Sequence, residues 1–166
     1  MSDSYRVLIT GSRDFTDREA MRSALQGARR RADGRHMTIV HGGARGADTL
    51  AAELATVAKN ADPEIWPALW RRAPEGTFPE NTGPAGHSNP KLPPYYRDEA
   101  IYQHENGRWS PNFNRAAGFA RNEAMIESGI DEVLALRKAD AANRGTDGAI
   151  AAAKRHGLTV RVTESI

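Results

Sequence analysis

The strongest constraint in this chain is alternation: short β-rich apolar runs give way to glycine-bearing polar loops, and these to segments with helical spacing. Tyr5-Arg6-Val7-Leu8-Ile9-Thr10 reads as a strand that stops at Gly11-Ser12-Arg13-Asp14. Thr16-Asp17-Arg18-Glu19 has the form of a capping box with Thr16 as N-cap. Behind it Ala20, Met21, Ala24, Leu25, Ala28 and Ala32 recur at helical spacing, and Gly34 ends the helix. Residues 37–41 form a second strand, Gly42-Gly43-Ala44-Arg45-Gly46 a loop, and residues 47–59 a second helix. Residues 64–70 read as a third strand, made irregular or an edge by Pro67. The pattern resumes with a helix over 116–128 closed by Gly129, and a buried-type strand over 132–136. A loop over 143–148, a helix over 149–155 and a last strand over 158–162 complete it. Strictly alternating elements predict an α/β fold: a Rossmann-like, doubly wound, mainly parallel sheet of about five strands, with helices on both faces.

The 166 residues predict a single domain, with residues 71–114 as a long insertion. That stretch is rich in Pro and aromatics, with Leu92 and Ile101 as its only aliphatics, so it builds no core of its own. A short helix is expected in it, near residues 98–104. Tyr95, Tyr96, Tyr102, Trp109 and Phe113 are there to stack on a base, form a dimer contact or pin the loop down. With no Cys, the chain has no disulfide, thiol nucleophile, thiolate zinc site or iron–sulfur cluster. The five histidines lack metal-ligand spacing, so neither metal nor cofactor is expected. No apolar run is long enough for a membrane span, and Met1-Ser2-Asp3-Ser4-Tyr5 has no signal-peptide character, which predicts a cytoplasmic protein. A net charge of +2 is too small to argue for nucleic acid.

Open parallel sheets bind ligands beyond the C-terminal ends of their strands. Three polar loops follow three predicted strands, so all three belong to one edge: Gly11-Ser12-Arg13, Gly42 to Asp48, and Asn143 to Gly148. Glycines allow an anion to approach the backbone, and helix N-termini offer unpaired N–H groups. Arg13, Arg45 and Arg144 add positive charge and Thr146 a hydroxyl. The expected ligand is a phosphate-bearing small molecule, most simply a nucleotide. Neither G-x-G-x-x-G nor the P-loop pattern occurs.

The segments RVLITGSRDFTD, VHGGARGADTLAAELA, AAGFARNEAMIESGIDEVLAL and NRGTDGAIAAAKRHGLTVRV resemble, in that order, the YspA-like branch of the SLOG superfamily, named for the Smf/DprA and LOG proteins. The resemblance covers about residues 5–70 and 115–163, and implies a Rossmann-like domain that binds nucleotides or nucleotide-derived ligands. LOG-type relatives cleave the N-glycosidic bond of nucleoside 5′-monophosphates. They use an Arg on the helix before the fourth strand, here matched by Arg121, and a Glu just after a Pro-Gly-Gly-x-Gly-Thr loop. Gly145-Thr146 matches the end of that loop; Ala141-Ala142-Asn143 replaces its start, and Gly148 and Ala149 stand where the Glu belongs.

Arg121 and Met125 share one helix face, so Arg121 reaches the ligand if Met125 faces the core; otherwise it serves a surface salt bridge. Asn122 bonds either a loop backbone or a ligand sugar. Asp48 either contacts the ligand or favours the second helix through its dipole. Ser12 could meet phosphate, but no base is in place to make it a nucleophile. His41 ends a strand beside the expected site. Asp147 and Glu123 are the candidate acid and base for glycosidic cleavage alongside Arg121. Arg29-Arg30-Arg31 reads as a solvated helix end. The leading expectation is therefore a nucleotide-binding protein, acting as sensor or processing protein. The alternatives are a nucleoside-monophosphate hydrolase, a DprA-like nucleic-acid binder, and a scaffold whose insertion mediates assembly. A homo-oligomer is expected.

Overall fold

A computed structural model describes residues 4–66 and 117–166. Nine elements alternate along it: β1 Ser4–Gly11, α1 Arg18–Ala32, β2 His36–His41, α2 Ala47–Val57, β3 Ala61–Ile65, α3 Ala117–Glu127, β4 Glu132–Lys138, α4 Arg144–Arg155 and β5 Val160–Ser165. All neighbouring strands are parallel, in the order β3-β2-β1-β4-β5. The sheet grows outward from β1 to β3, and the chain then places β4 on the other side of β1. The strand order therefore reverses between β1 and β4, where an open α/β sheet leaves its crevice.

Two cores flank the sheet, one on each face. Val7, Ile9, Ile39, Leu134 and Leu136 meet Met21, Ala28 and Ala32 of α1 and Ala51, Leu54 and Ala55 of α2. Leu8, Val40 and Val133 meet Ala124, Met125 and Ile126 of α3 and Ala152 and Ala153 of α4. Strand residues alternate between the two, as a period of two requires when both faces are covered. This is the doubly wound arrangement expected from the alternation.

Several boundaries differ from expectation. The N-cap of α1 is Asp17, whose carboxylate accepts from the Ala20 N–H at 2.9 Å, so the Thr16 box does not form. Asp caps a helix as well as Thr does, and its position one residue later fits Phe15 into the core at 2 % exposure. Helix α1 ends through Asp33 at φ 50°, with Gly34 following at φ 83°. The third strand lies earlier than expected, with Pro63 inside it. Pro63 is tolerated because β3 is an edge strand paired only with β2. Trp66, just beyond it, is 1 % exposed and donates to Glu64 Oε1 at 2.7 Å. The last helix begins at Arg144, so most of the expected 143–148 loop is helical. Residues 67–70, the 71–114 insertion, its short helix and its aromatics lie outside the described residues. Among the described residues no helix is long and apolar enough to cross a membrane.

Arg31 corrects the reading of a solvated arginine run. It bonds the 2 % exposed Glu132 through Nε at 3.0 and 3.1 Å, and Arg161 Nε reaches the same carboxylate at 2.9 Å. Arg29 donates to the carbonyls of Asn60 and Lys59. Arg6 holds Glu64 bidentately, at 2.8 and 3.0 Å. These arginines tie elements together within the molecule.

Candidate functional site

Beyond the C-terminal ends of the strands lies a cleft of about 650 Å³, within the range of small-ligand pockets. The three loops meet there. Gly11, Ser12, Arg13, Gly42, Arg45, Asp48, Arg144, Gly145 and Thr146 line it, and α3 contributes Arg121, Asn122 and Met125. Gly43 and Gly46 support the wall. A Cβ on Gly43 would come within 2.6 Å of Ile65, and Gly43 has φ 74°. Gly46 has φ 82°, and a Cβ there would strike the Ser12 and Arg13 carbonyls. That close approach lets Ala47 N–H donate to Ser12 O at 3.2 Å, locking the β2 loop onto the β1 loop.

Ser12 and Asn143 join the other two loops. Ser12 is 3 % exposed; its hydroxyl donates to Asn143 Oδ1 and accepts from the Lys138 N–H at 2.9 Å. The Asn143 amide donates to the carbonyls of Lys138 at 3.2 Å and Ala141 at 2.8 Å. Asn143 occupies the N-cap position of α4, yet its side chain makes no capping bond. Both ends of its amide are taken by the loop. The first N–H groups of α4, on Arg144, Gly145 and Thr146, are left without an intrahelical acceptor at the cleft wall. Arg144 is exposed beside them, and Arg13 and Arg45 are exposed on the opposite loops. Partial and full positive charges thus converge on a cleft whose remaining wall includes Phe119 and Met125.

Arg121 reaches the site, but not as a bare cation. Its Nη1 donates to Gly42 O at 2.8 Å and Trp66 O at 3.0 Å, and its Nε to Asn122 Oδ1 at 2.9 Å. A Cβ on Gly42 would overlap the guanidinium, which explains the glycine there. Met125 faces the core, as the shared-face reading requires.

Asp48 is 7 % exposed, and its Oδ2 accepts from the Gly42 and Ala44 N–H groups at 3.0 and 3.2 Å. Burial pushes its acid up to about 6, against the pull of Arg121, the two loop amides and Arg13. His41 is 3 % exposed and does not line the cleft. Its Nδ1 accepts from the Gly43 N–H at 3.0 Å, which puts the proton of the neutral ring on Nε2, an atom with no partner among the described residues. Burial, then the Arg121 charge, pushes this imidazole down to about 4, with Glu64 pulling the other way.

Glu123 and Asp147 are not among the cleft-lining residues. Glu123 pairs with Arg155 at 2.5 Å and His156 at 2.9 Å, and Asp147 with Arg137 at 3.3 Å. Glu123, Glu127 and His156 cluster on the surface within 4.8 Å. The site list read from the sequence lacked Asn143, Phe119, Asp14 and Asp140, all of which line the cleft. The role of Asn143 had no sequence signal: its burial and its place just ahead of α4 come from the fold, since the spacing starts that helix at residue 149.

One stretch of sequence carries two of the three loops, from β1 through β3. It matches the YAcAr family model, described as the YspA, cpYpsA-related SLOG family, over residues 5–72. Those residues are similar to SLOG domains. The SLOG match takes in Gly11-Ser12-Arg13 and the whole Gly42-to-Asp48 loop, and stops before α3, β4 and α4. No curated protein and no solved structure matches the chain.

Proposed function

We propose that the cleft binds a nucleotide or nucleotide-derived phosphate ligand, as sensor or processing protein, with the phosphate on the N-terminus of α4. One observation carries this reading: Asn143, the residue placed to cap α4, is committed to Ser12 and the β4 loop. The open amides of Arg144, Gly145 and Thr146 then face a cleft rimmed by Arg13 and Arg45. An anion supplies the missing acceptors and compensates the helix dipole. SLOG similarity over residues 5–72 supports a nucleotide-related ligand.

Glycosidic cleavage draws less support. Of its three candidates Arg121 lines the cleft, while Glu123 and Asp147 are held in ion pairs elsewhere. Nucleic-acid binding draws little from arginines such as Arg6, Arg31 and Arg161, which are engaged by Glu64 and Glu132.

Thermal unfolding with millimolar AMP, ADP-ribose, NAD or a cyclic nucleotide tests the reading. At least one ligand should raise the melting temperature in proportion to the logarithm of its concentration. The shift should shrink in Arg144→Ala/Thr146→Val. Four flat titrations would refute it, and shifts that survive the double substitution unchanged would take the Arg144 and Thr146 side chains out of the site.

A further inference from the structure

Polar groups in the cleft are mostly donors, and a phosphate accounts for them. Its carboxylates need another explanation. Asp14 and Asp140 are exposed, and Asp14 lies 3.7 Å from Arg45, so water and a cation serve them. Asp48 is buried, and the two loop N–H groups that reach it both end on Oδ2. Oδ1 takes no hydrogen bond among the described residues. Bracing the loop therefore explains one carboxylate oxygen and leaves the other, which the fold does not enclose, open to the cleft that this side chain lines. An acidic residue in a first helical turn would serve the dipole equally well with both oxygens in water. Here α2 carries its acid inward.

We propose that Asp48 is a specificity-determining residue, accepting on Oδ1 a hydrogen bond from an uncharged donor group of the molecule whose phosphate sits at α4. This rests on the function proposed above and adds the ligand's second recognition element. A carboxylate oxygen accepts only, so the facing group must be a sugar hydroxyl or a base amino group. A second anion is repelled, and a C–H group leaves the oxygen unmet. A site built to receive a donor rejects the analogue lacking it far more strongly than an apolar pocket rejects a missing methylene.

Titration calorimetry with AMP, 2′,3′-dideoxy-AMP and IMP decides it, since the second lacks the ribose hydroxyls and the third the amino group. Wild-type protein should bind AMP at least about tenfold more tightly than one of the two analogues, the expected worth of a hydrogen bond to a charged acceptor. That analogue identifies the donor. In Asp48→Asn a single amide oxygen can keep both loop bonds while an NH₂ replaces Oδ1, so the preference should fall to within about twofold. A thermal melt checks that this variant is folded; if it is not, Asp48→Ser replaces it. Equal wild-type affinities for all three nucleotides, or a preference that survives in the folded variant, overturn the assignment of Asp48 and leave phosphate binding standing. Absence of any wild-type binding, to these nucleotides and to inorganic phosphate, overturns both proposals.

Discussion

At the scale of single residues, burial sets Asp48 and His41 against each other. The buried Asp48 acid ionises near 6 rather than at its ordinary 3.8. Folding therefore favours its protonated form, and the stability this contributes is present below pH 4 and lost as pH rises through 6. His41, held neutral down to about 4 rather than 6.5, contributes stability that is present above 6.5 and lost as pH falls through 4. Over the same interval the two slopes oppose, so the wild type should change little in stability between pH 4 and 6.5. Asp48→Asn removes one of them. At pH 7 it should be more stable than wild type, by up to about 3 kcal/mol, and the advantage should fade by pH 4. Urea denaturation at both pH values measures this; a variant less stable at pH 7, or an advantage independent of pH, contradicts it. Neither environment was legible in the sequence. Asp48 in a first helical turn looks like a dipole partner, and only the fold of the Gly42 loop turns it inward. Arg31 was hidden for the same reason, because its partner Glu132 lies on a distant strand.

At the scale of elements, the glycines separate local need from tertiary need. The sequence indicated each strand and helix of the described residues, with the third strand set too late and the last too early, but read residues 143–148 as loop because Asn, Gly, Thr and Asp all favour turns. Packing decides otherwise: Thr146, Ala149, Ala152 and Ala153 are buried along one side of α4, so the helix reaches back to Arg144. Within it Gly145 has no atom within 4 Å of a Cβ and a helical backbone. Gly145→Ala should thus stabilise the fold by roughly 0.5–1 kcal/mol, the helix penalty of glycine. Gly46 is the opposite case. Its positive φ and the Ser12 and Arg13 carbonyls forbid a side chain. Gly46→Ala should cost on the order of 2 kcal/mol or more, combining backbone strain with displacement of the β1 loop. Urea denaturation of the pair should give opposite signs. Equal small effects would mean that the loops are not locked together as described.

At the scale of the whole molecule, alternation alone carried the fold class. The strand order did not follow from it. Placing β4 beside β1 rather than beyond β3 requires a chain reversal that no local pattern encodes, and that reversal makes the crevice. A buried charge cluster helps to hold the reversed half in place: Glu132 on β4 joins Arg31 of α1 to Arg161 of β5. The cluster is asymmetric, with the carboxylate 2 % exposed and the arginine side chains 33 % and 49 % exposed. Removing the anion and removing the cations should therefore differ. In Glu132→Gln both guanidinium groups can turn to water, and the loss should be about 1 kcal/mol. In Arg31→Ala/Arg161→Ala the carboxylate stays buried with no counter-charge and only the Tyr5 hydroxyl to meet it, and a loss of about 3–5 kcal/mol is expected. Adding Glu132→Gln to that double variant should restore most of the stability, because the amide no longer carries an unpaired charge. Urea denaturation of the three variants measures the differences. If Glu132→Gln proved as damaging as the double substitution, or gave no rescue, the carboxylate would have to be reached by water, and the clasp between α1, β4 and β5 would not be the buried one described.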